Sequence, residues 1–175
     1  GVALLDFDCD GDLDIFATGG GTIGGNPVAT AGLPPAFYRN DGAWKFVDVT
    51  TEVGLAKAMD YSIGCSCSDF NRDGFPDLLV TGYPRCRLYQ NTGRGGFEEV
   101  STQVGLGFEG LHTASAWPDV NEDGWPDLFV AGYVTFDLKE GRKCGDDLRK
   151  IKDICGIWQY PSAPDRLFLN RQGKS

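Results

Sequence analysis

Asp69-Phe-Asn-Arg-Asp-Gly-Phe-Pro-Asp77, running on into Leu78-Leu-Val-Thr81, is the stretch whose reading decides the fold. It places Asp or Asn at positions one, three, five and nine, Gly at position six, and an apolar β-type run directly behind. The same nine-residue pattern occurs earlier as Asp6-Phe-Asp-Cys-Asp-Gly-Asp-Leu-Asp14 and later as Asp119-Val-Asn-Glu-Asp-Gly-Trp-Pro-Asp127. Each copy is followed by apolar residues, Leu13 to Ala17 in the first and Leu128 to Ala131 in the third.

A second pattern alternates with the first. Phe37-Tyr-Arg-Asn-Asp-Gly, then Phe46-Val-Asp-Val-Thr and Val53-Gly-Leu, is answered by Leu88-Tyr-Gln-Asn-Thr-Gly, then Phe97-Glu-Glu-Val-Ser and Val104-Gly-Leu. It begins again at Leu167-Phe-Leu-Asn-Arg-Gln-Gly173. Tyr38 to Tyr89 is 51 residues and Asp69 to Asp119 is 50. One unit therefore holds four short strands. One leads into the acidic loop (Val2 to Leu5, Ser62 to Ser68, Thr113 to Trp117) and one leaves it. The third is the Leu/Phe-Tyr-x-Asn segment, and the fourth is the Phe-x-x-Val segment beyond an Asn-x-Gly hairpin turn. Four strands per repeat of ~40–50 residues is the arithmetic of a propeller blade. The expected fold is all-β, a β-propeller segment of about three four-stranded blades across residues 1–175. An open meander or sandwich would use the same strands, but a repeated unit has to bury its faces against copies of itself.

Two units carry insertions. From the first Asp of the loop to the following Tyr or Phe is 20 residues in the second unit, 32 in the first and 49 in the third. The first insertion is rich in Gly, Ala and Pro and reads as a flexible surface loop. The third, about 134–163, contains Asp146-Asp-Leu-Arg-Lys-Ile-Lys-Asp-Ile154, whose apolar spacing behind an Asp pair predicts two or three helical turns. Cys144 and Cys155 flank that segment, and a disulfide between them is the expected pairing. A bridge there would remove roughly 2–3 kcal/mol of unfolded-chain entropy.

Chemically, such a loop suits a hard cation. Oxygens at positions one, three, five and nine, with the carbonyl of position seven, can wrap an ion of Ca²⁺ size, which takes 6–8 oxygens at flexible geometry. The expected ligands are Asp6, Asp8, Asp10 and Asp14 with the carbonyl of Asp12 at 6–14. At 69–77 they are Asp69, Asn71, Asp73 and Asp77 with the carbonyl of Phe75. At 119–127 they are Asp119, Asn121, Asp123 and Asp127 with the carbonyl of Trp125. About three Ca²⁺ ions are expected, because carboxylates crowded into one turn repel each other. Mg²⁺ demands a stricter octahedron and is disfavoured. An EF-hand fails, since its twelfth position needs a bidentate Glu and here it is Ala17, Val80 and Val130.

The loops, preceded by Gly1-Val-Ala-Leu-Leu-Asp6 and followed by the Leu-Tyr-x-Asn and Phe-x-x-Val segments, resemble the FG-GAP/VCBS repeats of the integrin α-subunit N-terminal propeller. Within that group the chain is similar to the cartilage acidic protein-like, ASPIC/UnbV-associated branch. The third insertion, ahead of Ala163-Pro-Asp-Arg-Leu-Phe-Leu-Asn170, contributes to that likeness. The resemblance implies a seven-bladed propeller with Ca²⁺ in each loop, of which blades are missing from this chain. Neither the integrin FG and GAP signatures nor an ASPIC/UnbV or EGF-like module is evident, so integrin ligand roles do not carry over.

Composition narrows the function. There are 25 acidic and 16 basic residues, a formal charge of −9. That balance disfavours a nucleic-acid partner, which needs a basic surface. The three loops alone hold eleven Asp, Glu122 and Arg72, so the rest of the chain is close to neutral. No apolar run reaches the ~18–20 residues of a membrane span, so no membrane insertion by this segment is expected. Six cysteines with a single His, His112, exclude the usual zinc patterns and point to disulfides in an oxidising compartment: secreted, periplasmic or cell surface.

The function expected is non-enzymatic: a calcium-binding segment acting in adhesion, carbohydrate binding or protein interaction, with a protein or carbohydrate ligand on the propeller face. The alternative is the propeller of a secreted enzyme such as a polysaccharide lyase or dehydratase, which needs an acid/base pair beyond the metal ligands. Gly19-Gly-Gly21-Thr-Ile-Gly24 fits a dinucleotide pattern in letters only, since no helix can start before Asn26-Pro27 and Pro34-Pro35. His112 reads as structural. Trp44, Trp117, Trp125 and Trp158 read as core and blade packing. Cys65 and Cys67 share one strand face and cannot easily bridge. Exposed blade faces at both ends predict marginal stability or association.

Overall fold

The computed structural model describes residues 1–24, 29–135, 145–146, 151–152 and 157–173. Three antiparallel sheets follow one another along the chain. The first is ordered β1 (Val2–Leu5), β2 (Asp14–Ala17), β5 (Ala36–Asn40) and β6 (Phe46–Asp48). The second repeats it as β7 (Tyr61–Ser68), β8 (Asp77–Tyr83), β9 (Arg87–Asn91) and β10 (Phe97–Glu99). The third pairs β11 (His112–Ala116), β12 (Leu128–Gly132) and β15 (Arg166–Phe168). Register repeats as well, with Ile15 opposite Tyr38, Leu78 opposite Tyr89 and Leu128 opposite Phe168. These are successive blades of a β-propeller segment.

The blades stack through their inner strands, with β7 lying between β1 and β11. Gly64 sits at that junction. A Cβ there would meet the Thr113 carbonyl oxygen at 2.5 Å and Thr81 Oγ1 at 2.7 Å. Only glycine leaves room for the neighbouring backbone. Beside it, the Ser66 and Ser115 hydroxyls are 2.7 Å apart, and Trp117 Nε1 donates to Ser66 Oγ at 3.0 Å.

Two apolar layers fill the gaps between sheets. Phe7, Phe16, Phe37, Leu78, Val80 and Phe97 bind the first sheet to the second, whereas Phe70, Leu79, Leu88, Leu106, Leu128 and Val130 bind the second to the third. Alternate residues of β8 thus serve opposite layers, as the two-residue period of a strand requires. Asp77 through Gly82 are all buried, with Leu78, Leu79 and Val80 as their apolar centre. On β2 only Asp14 and Phe16 are buried. The outer face of β1 leaves Val2 and Leu4 more than half exposed, in line with an uncovered blade face.

Both insertions depart from expectation. The first is a ribbon, β3 (Gly21–Gly24) against β4 (Ala29–Gly32), and not a plain loop. Its glycines let it lie on the start of β7: a Cβ on Gly32 would collide with the Met59 carbonyl, and Ser62 Oγ accepts from Gly20 N at 3.0 Å. In the third, β13 (Gly145–Asp146) pairs with β14 (Ile151–Lys152), which replaces the expected helix. Gly is a poor helix former and β-branched Ile a good strand former. Cys144 and Cys155 lie outside the described residues. The four described cysteines, Cys9, Cys65, Cys67 and Cys86, are free thiols, unlike the disulfides expected of an oxidising compartment. Burial pushes the Cys65 thiol up to about 11 and that of Cys86 to about 12.

Candidate metal centre

The three acidic loops have one geometry. Position one clamps the turn with both oxygens. Oδ1 of Asp6, Asp69 and Asp119 accepts from the amide of position five at 3.0, 3.0 and 3.1 Å. Oδ2 accepts from the Gly amide of position six at 3.1, 2.8 and 2.8 Å. Position five then accepts from position seven: Asp12 N to Asp10 at 2.9 Å, Phe75 N to Asp73 at 3.0 Å, Trp125 N to Asp123 at 2.9 Å.

Two residues per loop must turn left-handed. Position four does so in Cys9, Arg72 and Glu122, at φ 59°, 57° and 58°. Gly11, Gly74 and Gly124 follow at φ 92°, 93° and 84°, where a side chain is strained. The sequence pattern fixes Gly only at position six.

Position nine holds the loop to its sheet. Asp14, Asp77 and Asp127 are fully buried. Their Oδ2 atoms accept from the amides of Phe7, Phe70 and Val120 at 2.8, 3.0 and 3.0 Å. Their Oδ1 atoms accept from the amides of Asn40, Asn91 and Asn170 at 2.9, 2.8 and 2.7 Å. Each carboxylate thus ties the loop's start to the third strand.

Those asparagines complete a device that reading the sequence alone missed. Asn91 Nδ2 donates to the Phe7 carbonyl at 2.8 Å, in the loop of the preceding blade. Asn170 Nδ2 does the same to the Phe70 carbonyl at 2.7 Å. Their Oδ1 atoms accept from Gly93 N and Gly173 N at 2.9 and 2.7 Å, shaping the hairpin turn. One amide side chain therefore joins its own turn, its own loop and the neighbour's loop. The signal was present in the recurrence of Asn in register with the Asp string.

The donor set is all oxygen. In the first loop, ligand atoms of Asp6, Asp8 and Asp14 lie within 4.8 Å of one another, the one acidic group so gathered among the described residues. Burial, then Asp10, pushes the Asp8 carboxyl up, and burial does the same to Asp14. At position three the other loops carry Asn, whose amide donates to the position-five carboxylate: Asn71 to Asp73 at 2.8 Å and Asn121 to Asp123 at 2.9 Å. There a neutral donor offsets part of the crowding. Asp8 cannot donate in its charged form, so the first loop has the greatest need of a cation. These residues fit a hard, oxygen-seeking divalent ion.

Burial pushes the Asp77 carboxyl up to about 7. A carboxyl raised above its unfolded value of ~3.9 binds more protons folded than unfolded. Without a cation, its contribution to stability falls as pH rises from about 4 to 7. Positive charge at the loop opposes that loss.

Of the tryptophans, Trp117 packs at 6.5 Å on Phe70, as a core residue should. Trp125 carries the Arg72 guanidinium at 5.3 Å, which links the second and third loops. Trp44 and Trp158 are 84% and 83% exposed and are not core residues. Trp44 stands on a tight turn at φ 61°.

Comparison with known proteins follows the same boundaries. The FG-GAP-like repeat model matches residues 6–80 and again 69–130, each match running from one acidic loop through the strand after the next. A curated relative, cartilage acidic protein 1 of Xenopus tropicalis, is 29% identical over 100 residues, 49% of this chain and 16% of that protein. The matched stretch is thus a small part of the relative's length. With the acidic loop and its buried ninth Asp recurring blade by blade inside those matches, the chain belongs to the FG-GAP-like repeat family.

Proposed function

We propose that this chain is a calcium-braced propeller segment of an extracellular or cell-surface protein, serving protein interaction and not catalysis. The observation that carries the reading is the thrice-repeated loop whose carboxylates are held by backbone amides, with the first two loops each joined to the following blade by one Asn and the acids of the first gathered within 4.8 Å. Asp6, Asp8, Asp10 and Asp14 with the Asp12 carbonyl would hold the first ion, and the equivalent residues at 69–77 and 119–127 the others. When bound, Ca²⁺ supplies the positive charge that the crowded carboxylates lack. Everything else is done by the chain: position one shapes the turn, position nine ties it to the sheet, and the Asn couples blades.

Interaction is supported by family membership and by where the insertions fall. The acidic loops join β1 to β2, β7 to β8 and β11 to β12, and both insertions follow β2 and β12 at the opposite end. Scaffold-mounted loops at one end of a rigid fold are where binding residues concentrate. The relative's printed name includes the word acidic, in keeping with a chain of −9 whose excess charge sits in three loops. No described helix is long and apolar enough to cross a membrane.

Calorimetric titration of the chelator-stripped chain with CaCl₂ tests the calcium reading. Saturable binding is expected, and Asp8→Asn should weaken the tightest site roughly tenfold, since affinity in such loops follows ligand charge. Absence of saturable heat, or equal response to Mg²⁺, would count against it.

A further inference from the structure

On the end opposite the acidic loops, a cleft of about 280 Å³ opens between the second and third blades. Its wall is polar where a wall need not be. His112, at the start of β11, is 2% exposed, and its Nδ1 has no hydrogen-bond partner. A buried polar atom left unpaired costs ~1–3 kcal/mol, so the unsatisfied Nδ1 of a ring that lines the cleft calls for a partner. Arg166 lines the same cleft, and no described carboxylate pairs with it. Its guanidinium lies 4.7 Å from the Phe108 ring centre. Phe108 in turn meets the His112 ring edge-on at 4.9 Å and stacks on Phe168 at 5.3 Å. One aromatic platform therefore fixes both the cation and the imidazole.

We infer that this cleft is a receptor for a single carboxylate, presented by an acidic side chain of a partner protein, with Arg166 pairing its charge and His112 Nδ1 completing its hydrogen bonds. A planar guanidinium is the side chain best suited to a carboxylate. One guanidinium and one imidazole match a single carboxylate, and Pro84, Val134 and Pro164 bound the rest of the cleft. Burial first, then Arg166, holds the His112 ring below its usual range, so it stands neutral until an anion arrives. Among the described residues, the other charged or titratable groups lining the cleft are Tyr83 and Glu109, the latter 4.0 Å from Arg85 at the rim. An incoming carboxylate offsets Arg166 and draws a proton onto the ring.

This inference rests on the interaction reading for its biological use, and it fails separately from the calcium reading, which the CaCl₂ titration decides. His112 is the single histidine in the sequence, so its ring nitrogens give an unobscured NMR signal. Titrating the full chain with N-acetyl-aspartate amide should move that signal saturably toward the protonated form. Arg166→Gln, a change at an exposed position, should weaken the effect at least about tenfold while leaving the melting temperature in place. N-acetyl-asparagine amide should do nothing. No saturable movement, or equal binding by the Arg166→Gln chain, would overturn the site. Tighter binding of glucuronate than of the aspartate probe would overturn the side-chain assignment.

Discussion

Asp77→Ala is expected to lower stability by about 2–6 kcal/mol, because two buried amide donors each lose their partner at ~1–3 kcal/mol apiece. The carboxylate is fully buried, and the amides of Phe70 and Asn91 both end on it. Alanine leaves two donors unpaired at the root of the second loop. Asn91 then loses its anchor, and with it the bond from Nδ2 to the Phe7 carbonyl of the first blade. Asp77→Asn keeps one acceptor oxygen and should lose roughly half as much. Denaturant unfolding of both variants beside Asp41→Ala, a partly exposed surface carboxylate, is the measurement. If Asp77→Ala unfolds with the midpoint of Asp41→Ala, position nine is not the clamp described.

Gly64→Ala is the second large effect, with an expected loss of about 2–3 kcal/mol from overpacking. The added methyl would overlap the backbone carbonyl of Thr113, which cannot swing aside as a side-chain tip can. Relief requires the second and third blades to part, and that opens the layer built on Leu79, Leu128 and Val130. Gly107→Ala provides the comparison, since a Cβ there meets nothing within 4 Å. Equal unfolding midpoints for the two variants would show that the inner strands do not touch as described.

How far the sequence could be read depended on whether a residue's role repeats. The strands Val2–Leu5, Tyr61–Ser68 and Asp77–Tyr83 fall where the alternation around each Asp string placed them. Those ends are dictated by local chemistry, because Gly74 and the clamp from Asp69 stop one strand and start the next. Asn91 was legible as a turn residue but not as a bridge, since its partner Phe7 lies 84 residues away and no local pattern announces it. The insertions defeated pattern reading for the opposite reason. They occur once each, so nothing in the sequence corrects a local preference. Gly21 and Gly32 signal flexibility in isolation, whereas the structure uses them to let a ribbon approach Tyr61 and Met59. His112 reads from the sequence as a structural residue at the surface or partly buried, whereas it is 2% exposed with an unpaired Nδ1, an outcome set by Gly110 and Phe108 packing on its ring that spacing cannot show.

The central claim is that divalent cations brace the blades through the acidic loops, and thermal unfolding in calcium against chelator tests it most directly. Near pH 7.5, saturating Ca²⁺ is expected to raise the melting temperature by about 5–10 °C, the shift for a few kcal/mol of linked binding in a chain of this size. Near pH 5 the gain should shrink, because protons then occupy carboxylates such as Asp77 that burial has already raised. Identical melting in calcium and in chelator at both pH values would contradict the account.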